Sequence, residues 1–167
     1  ALAGLFAAGE DAGGVHGANR LGGNGVANST VFGGIAGETM AAWASAEGAP
    51  ADPDRAALTA AIDQCRRPFD RKTGDLEGIR EALFELMWND VGIVRDRAGL
   101  ERAAGGLAAL DAELRATGIG SADPAFNLMW HDWLNLGSLT AVSRAIAAAA
   151  WARADARGAH FRSDFPS

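Results

Sequence analysis

Three side chains able to do chemistry, Glu10, His16 and Arg20, fall within one run, GEDAGGVHGANRLGGNGVAN, from Gly9 to Asn28. The run is too rich in glycine for a helix and too irregular for a strand. An apolar segment that can start a helix follows it directly. A glycine loop feeding a helix holds anionic groups well, because backbone N–H groups and the positive end of the helix dipole face the ligand. Arg20 has the right chemistry for a carboxylate, which a planar guanidinium grips through two parallel hydrogen bonds. Read from residue types alone, the same run also fits an ordinary connection, with Arg20 pinning the loop to a carbonyl and Glu10 solvated. His16 can accept a proton, bind a carboxylate or serve as loop scaffold.

The other candidate groups are weaker. His131 and Asp132 are adjacent on a helix and point to different faces, which argues against a metal site. Cys65 reads as a small buried apolar group. Trp43, Trp88, Trp130, Trp133 and Trp151 read as core or interface packing, since the basic interleaving of a base-stacking platform is missing.

The elements that must position the loop follow from the pattern. Residues 1–8 (ALAGLFAA) suit the last strand of a sheet supplied from elsewhere. A helix is expected from Gly25 to about Ala46, in which Gly33, Gly34 and Gly37 suggest close packing on another element. Residues 47–52 are a linker. Asp52-Pro53 and Asp123-Pro124 each offer a capping acid and a first-turn proline, and Asp75 offers another cap. Leu100, Ala103, Leu107, Leu110 and Leu114 recur three and four apart and form a packing seam. The helix after Asp123 is expected to run to Arg157, with Asn135 and Gly137 as possible kinks. The fold class is therefore mainly α: an antiparallel three- to four-helix bundle over 52–158, preceded by the strand, loop and helix of 1–46 and followed by an extended arm over 159–167. Residues 1–46 are expected to be the least stable part.

The 167 residues carry a net charge of −6, with 49% hydrophobic and 22% charged residues. Those are globular values. No basic face offsets the charge, which disfavours nucleic acid and anionic membrane surfaces as partners. A single cysteine rules out an internal disulfide and fits a reducing compartment. No apolar run is long enough to cross a bilayer, so the expected location is cytoplasmic, at most peripheral on a membrane through partner subunits. A start at Ala1, running straight into a motif, suggests a chain cut from something longer.

Three ordered segments carry a resemblance. Gly4-Leu5-Phe6-Ala7-Ala8-Gly9-Glu10 with His16-Gly17-Ala18-Asn19-Arg20-Leu21-Gly22-Gly23-Asn24, then Met87 to Arg95 (MWNDVGIVR), then Arg157 to Pro166 (RGAHFRSDFP), resemble the flavoprotein subunits of succinate dehydrogenase and fumarate reductase. L-Aspartate oxidase and adenylylsulfate reductase are relatives of that family. The resemblance implies the C-terminal part of an FAD-dependent oxidoreductase that moves a hydride between a small dicarboxylate and the flavin. It implies that Arg20 binds a substrate carboxylate and that Glu10 accepts a hydrogen bond from the flavin's sugar-alcohol chain. It implies that Asn24, Gly25 and Val26 lie against the cofactor. Gly25-Val26 stand where the family has Ser-Leu, and the loop from Glu10 to Arg20 is one residue shorter than the family pattern. The dinucleotide fingerprint, the flavin-carrying histidine and the proton-relay arginine all belong upstream, so no catalytic residue is assignable in this segment, and the isolated chain is expected to be inactive. The expected partners are the remainder of the flavoprotein and an iron–sulfur subunit. The rival reading is a non-catalytic helical module that docks such a subunit. His160 takes a structural or docking role by resemblance.

Overall fold

A computed structural model describes residues 2–17, 20–48 and 52–166. The chain divides into two compact units, Ala1–Pro53 and Asp54–Ser167.

In the first unit, residues 2–8 form no strand. A strand needs a hydrogen-bonding neighbour, and the described residues offer none. A short 3-10 turn, Gly9–Asp11, follows. Helix α1 spans Asn24–Glu47, so the expected helix forms with its ends moved by one residue. It is apolar all round, yet Asn28 is its only buried residue among those described. Val26, Val31, Ile35 and Met40 are all exposed. A helix of that composition normally lies inside a larger core. Apart from the helix's own backbone, nothing described lies within 4 Å of a Cβ placed at Gly33, Gly34 or Gly37, so the described residues contain no close-packed neighbour for them.

The second unit is a three-helix bundle with an appended helix. Helix α2 (Arg55–Arg66) buries no residue and leads into a 3-10 turn, Arg67–Asp70. Helix α3 spans Leu76–Val91, α4 spans Arg97–Ala116 and α5 spans Leu128–Ala152. Ile79, Leu83, Leu100, Leu107, Leu114 and Leu136 form the centre of the core. All five residues of the expected seam on α4 are buried. The helices are antiparallel neighbours. Trp133, near the start of α5, donates from Nε1 to the carbonyls of Leu114 (3.0 Å) and Thr117 (3.1 Å) at the end of α4. Asp90, at the end of α3, pairs with Arg102 near the start of α4 (2.6 Å).

Several boundaries differ from the sequence expectation. Asp54, not Asp52, caps α2, accepting from the amides of Ala56 (2.9 Å) and Ala57 (3.2 Å). Pro53 therefore lies outside the helix. Asp123 accepts from Ala125 N (2.9 Å), but the helix does not start there. Phe126 takes a left-handed φ of 53°, which breaks the helical path. Asn127 is the cap, accepting from Trp130 N (2.9 Å). Helix α5 then runs unbroken through Asn135 and Gly137 for 25 residues, about 37 Å. Cys65 is exposed, not buried, because α2 buries no side chain. Gly118 acts through close approach: a Cβ there would collide with the Arg71 carbonyl, and its N–H donates to the Lys72 carbonyl (2.8 Å).

The terminal residues pack on this bundle. Strand β1 (Val94–Arg95) and strand β2 (Phe161–Arg162) pair in parallel. Arg162 is only 2% exposed. Its Nη1 donates to the Ala150, Trp151 and Arg153 carbonyls at the end of α5. Its Nε and Nη2 reach Asp164 at 2.9 and 2.6 Å. Asp164 in turn accepts from the amide of Arg97 at the start of α4 (3.1 Å). A cation thus closes the negative end of one helix and an anion the positive end of the next. Hydrogen bonds from Arg162 hold the Asp164 carboxyl below the usual carboxylate range.

Candidate functional site

The glycine run folds against the start of α1 because two contacts fasten it there. Asn28 donates from Nδ2 to the Gly9 carbonyl at 3.2 Å. Gly9 has a φ of +76°, and a Cβ on it would sit 2.8 Å from Ser29 Oγ. Only glycine fits both the left-handed backbone and the close approach. The turn that carries Glu10 is thereby held on the first turns of α1.

Between turn and helix lies a hollow of about 650 Å³. Glu10, Arg20, Gly25 and Val26 all line it, as does His16. Asn24 does not; it lines a smaller neighbouring depression of about 220 Å³, together with His16 and Asn28. The expected site residues are thus mostly in one place, with Asn24 around the corner of the helix. Ala18 and Asn19, which belong to the same motif, lie outside the described residues.

The start of α1 carries no side-chain cap, since Gly23 precedes it, and no acid occupies its first turn. The Asn24 amide donates to the Leu21 carbonyl (3.4 Å); the N–H groups that follow it at a helix start are suited to an acceptor or an anion. The guanidinium of Arg20 lies beside Gly25, in the space a Cβ there would take.

Asn28 is a member of the site that sequence patterning missed. It is 7% exposed, and its Oδ1 is buried with no hydrogen-bond partner among the described residues. Nε2 of His16 is in the same condition. A buried polar atom left unpaired costs about 1–3 kcal/mol, so both atoms are suited to a group from beyond the described residues that brings hydrogen-bonding atoms. The sequence signal for this is an asparagine one turn after Asn24 in a largely apolar helix, and it acquires meaning once Gly9 is seen opposite. These donors and acceptors suit a polyhydroxylated cofactor with a carbonyl-rich ring edge, as FAD is.

The remaining histidines sit in the second unit. His131 is exposed, and its neighbour Asp132 pairs with Arg80 of α3 (3.3 Å). His160 is buried; Arg95 Nη1 lies 3.0 Å from its Nδ1. With Arg95 donating to Nδ1, Nε2 is the ring nitrogen placed to donate to the Arg153 carbonyl at 3.3 Å.

Known proteins resemble the chain in sequence and in fold. Residues 80–167 match the family model described as fumarate reductase flavoprotein C-term, and residues 1–26 match one described as FAD binding domain. The chain is 36% identical over 173 residues to one of the subunits of the fumarate reductase (CoM/CoB) of Methanothermobacter marburgensis, covering 99% of this chain and 30% of that one. It is 34% identical over 169 residues to the 8-methylmenaquinol:fumarate reductase flavoprotein subunit of Wolinella succinogenes, covering 99% and 28%. The solved Mycobacterium smegmatis Sdh1 complex in the apo form superposes with a TM-score of 0.88 at 33% identity, over 98% of this chain and 28% of that one. The chain spans less than a third of the length of the curated relatives it matches.

Proposed function

The chain belongs to the succinate dehydrogenase/fumarate reductase flavoprotein family, whose cofactor is FAD, and from that premise we propose that it forms part of an oxidoreductase acting on a small dicarboxylate. Residues 1–46 are the end of the FAD-binding domain, 52–158 the helical domain and 159–167 its terminal arm. The observation that carries the reading is that Glu10, Arg20, Gly25 and Val26 line one hollow.

FAD, when bound, supplies the hydride acceptor or donor. The roles of this chain's own residues follow from their chemistry. Arg20 grips a substrate carboxylate through its fork and fixes the substrate's orientation. The backbone N–H groups of Gly25 and Val26, which line the hollow, would hold the cofactor and donate to negative charge that develops on it. Glu10 would accept from a cofactor hydroxyl, and Asn24, at the neighbouring depression, would also contact the cofactor. The segment holds none of the proton-relay machinery, so the isolated chain is inactive.

The test is Arg20→Ala in a full-length flavoprotein carrying this segment. The expected result is a fall in kcat/KM of about a thousandfold, roughly 4 kcal/mol of transition-state binding, with flavin content retained. A kcat/KM within threefold of the unmodified enzyme would overturn the assignment of Arg20.

A second reading is favoured by one surface of the bundle. Phe84 and Trp88, one turn apart on α3, are 54% and 77% exposed, and Ile93 beyond them is 77% exposed. On this reading residues 54–167 also dock an iron–sulfur protein. Among the described residues no helix is long and apolar enough to cross a membrane. Loss of the complex with that partner in a Phe84→Ser, Trp88→Ser variant, with flavin retained, is the outcome expected; an intact complex removes this reading.

A further inference from the structure

Gly25 is a glycine that its own backbone does not require. It lies in the first turn of α1 and is not among the residues with positive φ. Glycine there costs about 1 kcal/mol of helix stability relative to alanine. Its lack of a side chain has a local effect instead. The three atoms nearest to a Cβ built at Gly25 are Nη1, Cζ and Nη2 of Arg20, and the first of these would collide with it. At Gly22, Gly33, Gly34 and Gly37 a Cβ meets nothing within 4 Å. Gly25 thus differs from the helix's other glycines in having one specific neighbour, the guanidinium assigned above to the substrate.

We propose that Gly25 is a positioning residue: its missing side chain lets the Arg20 guanidinium lie against the first turn of α1, and this sets where the dicarboxylate's carboxylate is held. The inference rests on the reading that Arg20 grips the substrate. The resembling family pattern has serine at this position, so this chain's arginine reaches a place that a Cβ would deny it. The ligand class is a short-chain dicarboxylate with one carboxylate seated close to the start of α1. Any residue larger than glycine at position 25 pushes the guanidinium away from that seat. The displaced atoms are the end of a flexible side chain, so the fold adapts while the grip is misplaced.

The experiment uses a full-length flavoprotein carrying this segment, with Gly25→Ala and Gly25→Ser variants. Malonate, a dicarboxylate with no double bond to reduce, is titrated and followed by flavin absorbance; KM for fumarate is measured with a reduced dye. The expected result is a rise of at least about tenfold in both malonate Kd and KM, as misplacement of an orienting group produces. Flavin content should be unchanged and Tm equal or higher, because alanine favours the helix. In the Arg20→Ala background, Gly25→Ala should add nothing further, which is the coupling expected of residues acting through one contact. Malonate Kd and KM within twofold in the single variants would overturn the proposal. If Arg20→Ala itself weakens neither, or the unmodified protein binds no malonate, the failure lies in the reading of Arg20; if Arg20→Ala is damaging and Gly25→Ala silent, it lies in the role of Gly25 alone.

Discussion

Single side chains in this protein are tied to backbone ends more than to one another. Arg162 closes two carbonyls of α5 and that of Arg153 just beyond it, and is neutralised by Asp164. The Asp164 carboxyl is held low by Arg162. A group whose folded pKa is depressed stabilises the fold above its unfolded value and loses that contribution as pH falls through the folded one. Urea midpoints of the chain and of Asp164→Asn should therefore differ at pH 7 and converge as the pH falls below about 4. A constant gap down to pH 2 would show that the carboxylate's charge contributes nothing. At Gly9, positive φ and the contact with Ser29 act together. Gly9→Ala should destabilise the first unit by about 2 kcal/mol, seen as faster exchange of the amides of residues 24–30; unchanged exchange would mean that the turn is not fastened to the helix. At this scale the motif residues were legible, because Glu10, Arg20, Gly25 and Val26 do converge. Asn28 was not, because its meaning comes from a carbonyl 19 positions away.

Elements were read correctly where the cue was local and repeated. The seam from Leu100 to Leu114 is buried throughout, and Asp75 caps α3, accepting from Gly78 N at 2.9 Å. Cues failed where two were in competition. In Asp52-Pro53-Asp54 either acid can cap, and the structure uses the second. Asp54→Ala should cost about 1 kcal/mol and reduce the helical circular-dichroism signal. Asp52→Ala should change neither. Equal effects would mean that the cap is shared. Before α5 the competitor was the left-handed Phe126, which moves the start to Leu128. The pairing of Val94–Arg95 with Phe161–Arg162 had no local signal at all, since two very short strands far apart in the chain are brought together by the helices between them.

At the scale of the molecule, the second unit owns its core and the first does not. The bundle buries a continuous cluster from Leu76 to Ala150, while α1 leaves most of its apolar surface open. Composition could reveal that α1 is apolar all round, but not what covers it. On the function proposed for the chain, the glycine run and the first turns of α1 are one edge of a flavin site. The most direct test of this claim is amide hydrogen exchange on a full-length flavoprotein carrying this segment, compared between the flavin-loaded and flavin-stripped forms. The expected result is strong protection on loading in peptides spanning residues 9–12 and 24–30, with the peptides of α4 and α5 unchanged. Equal exchange of residues 9–12 and 24–30 in the two forms would contradict the claim.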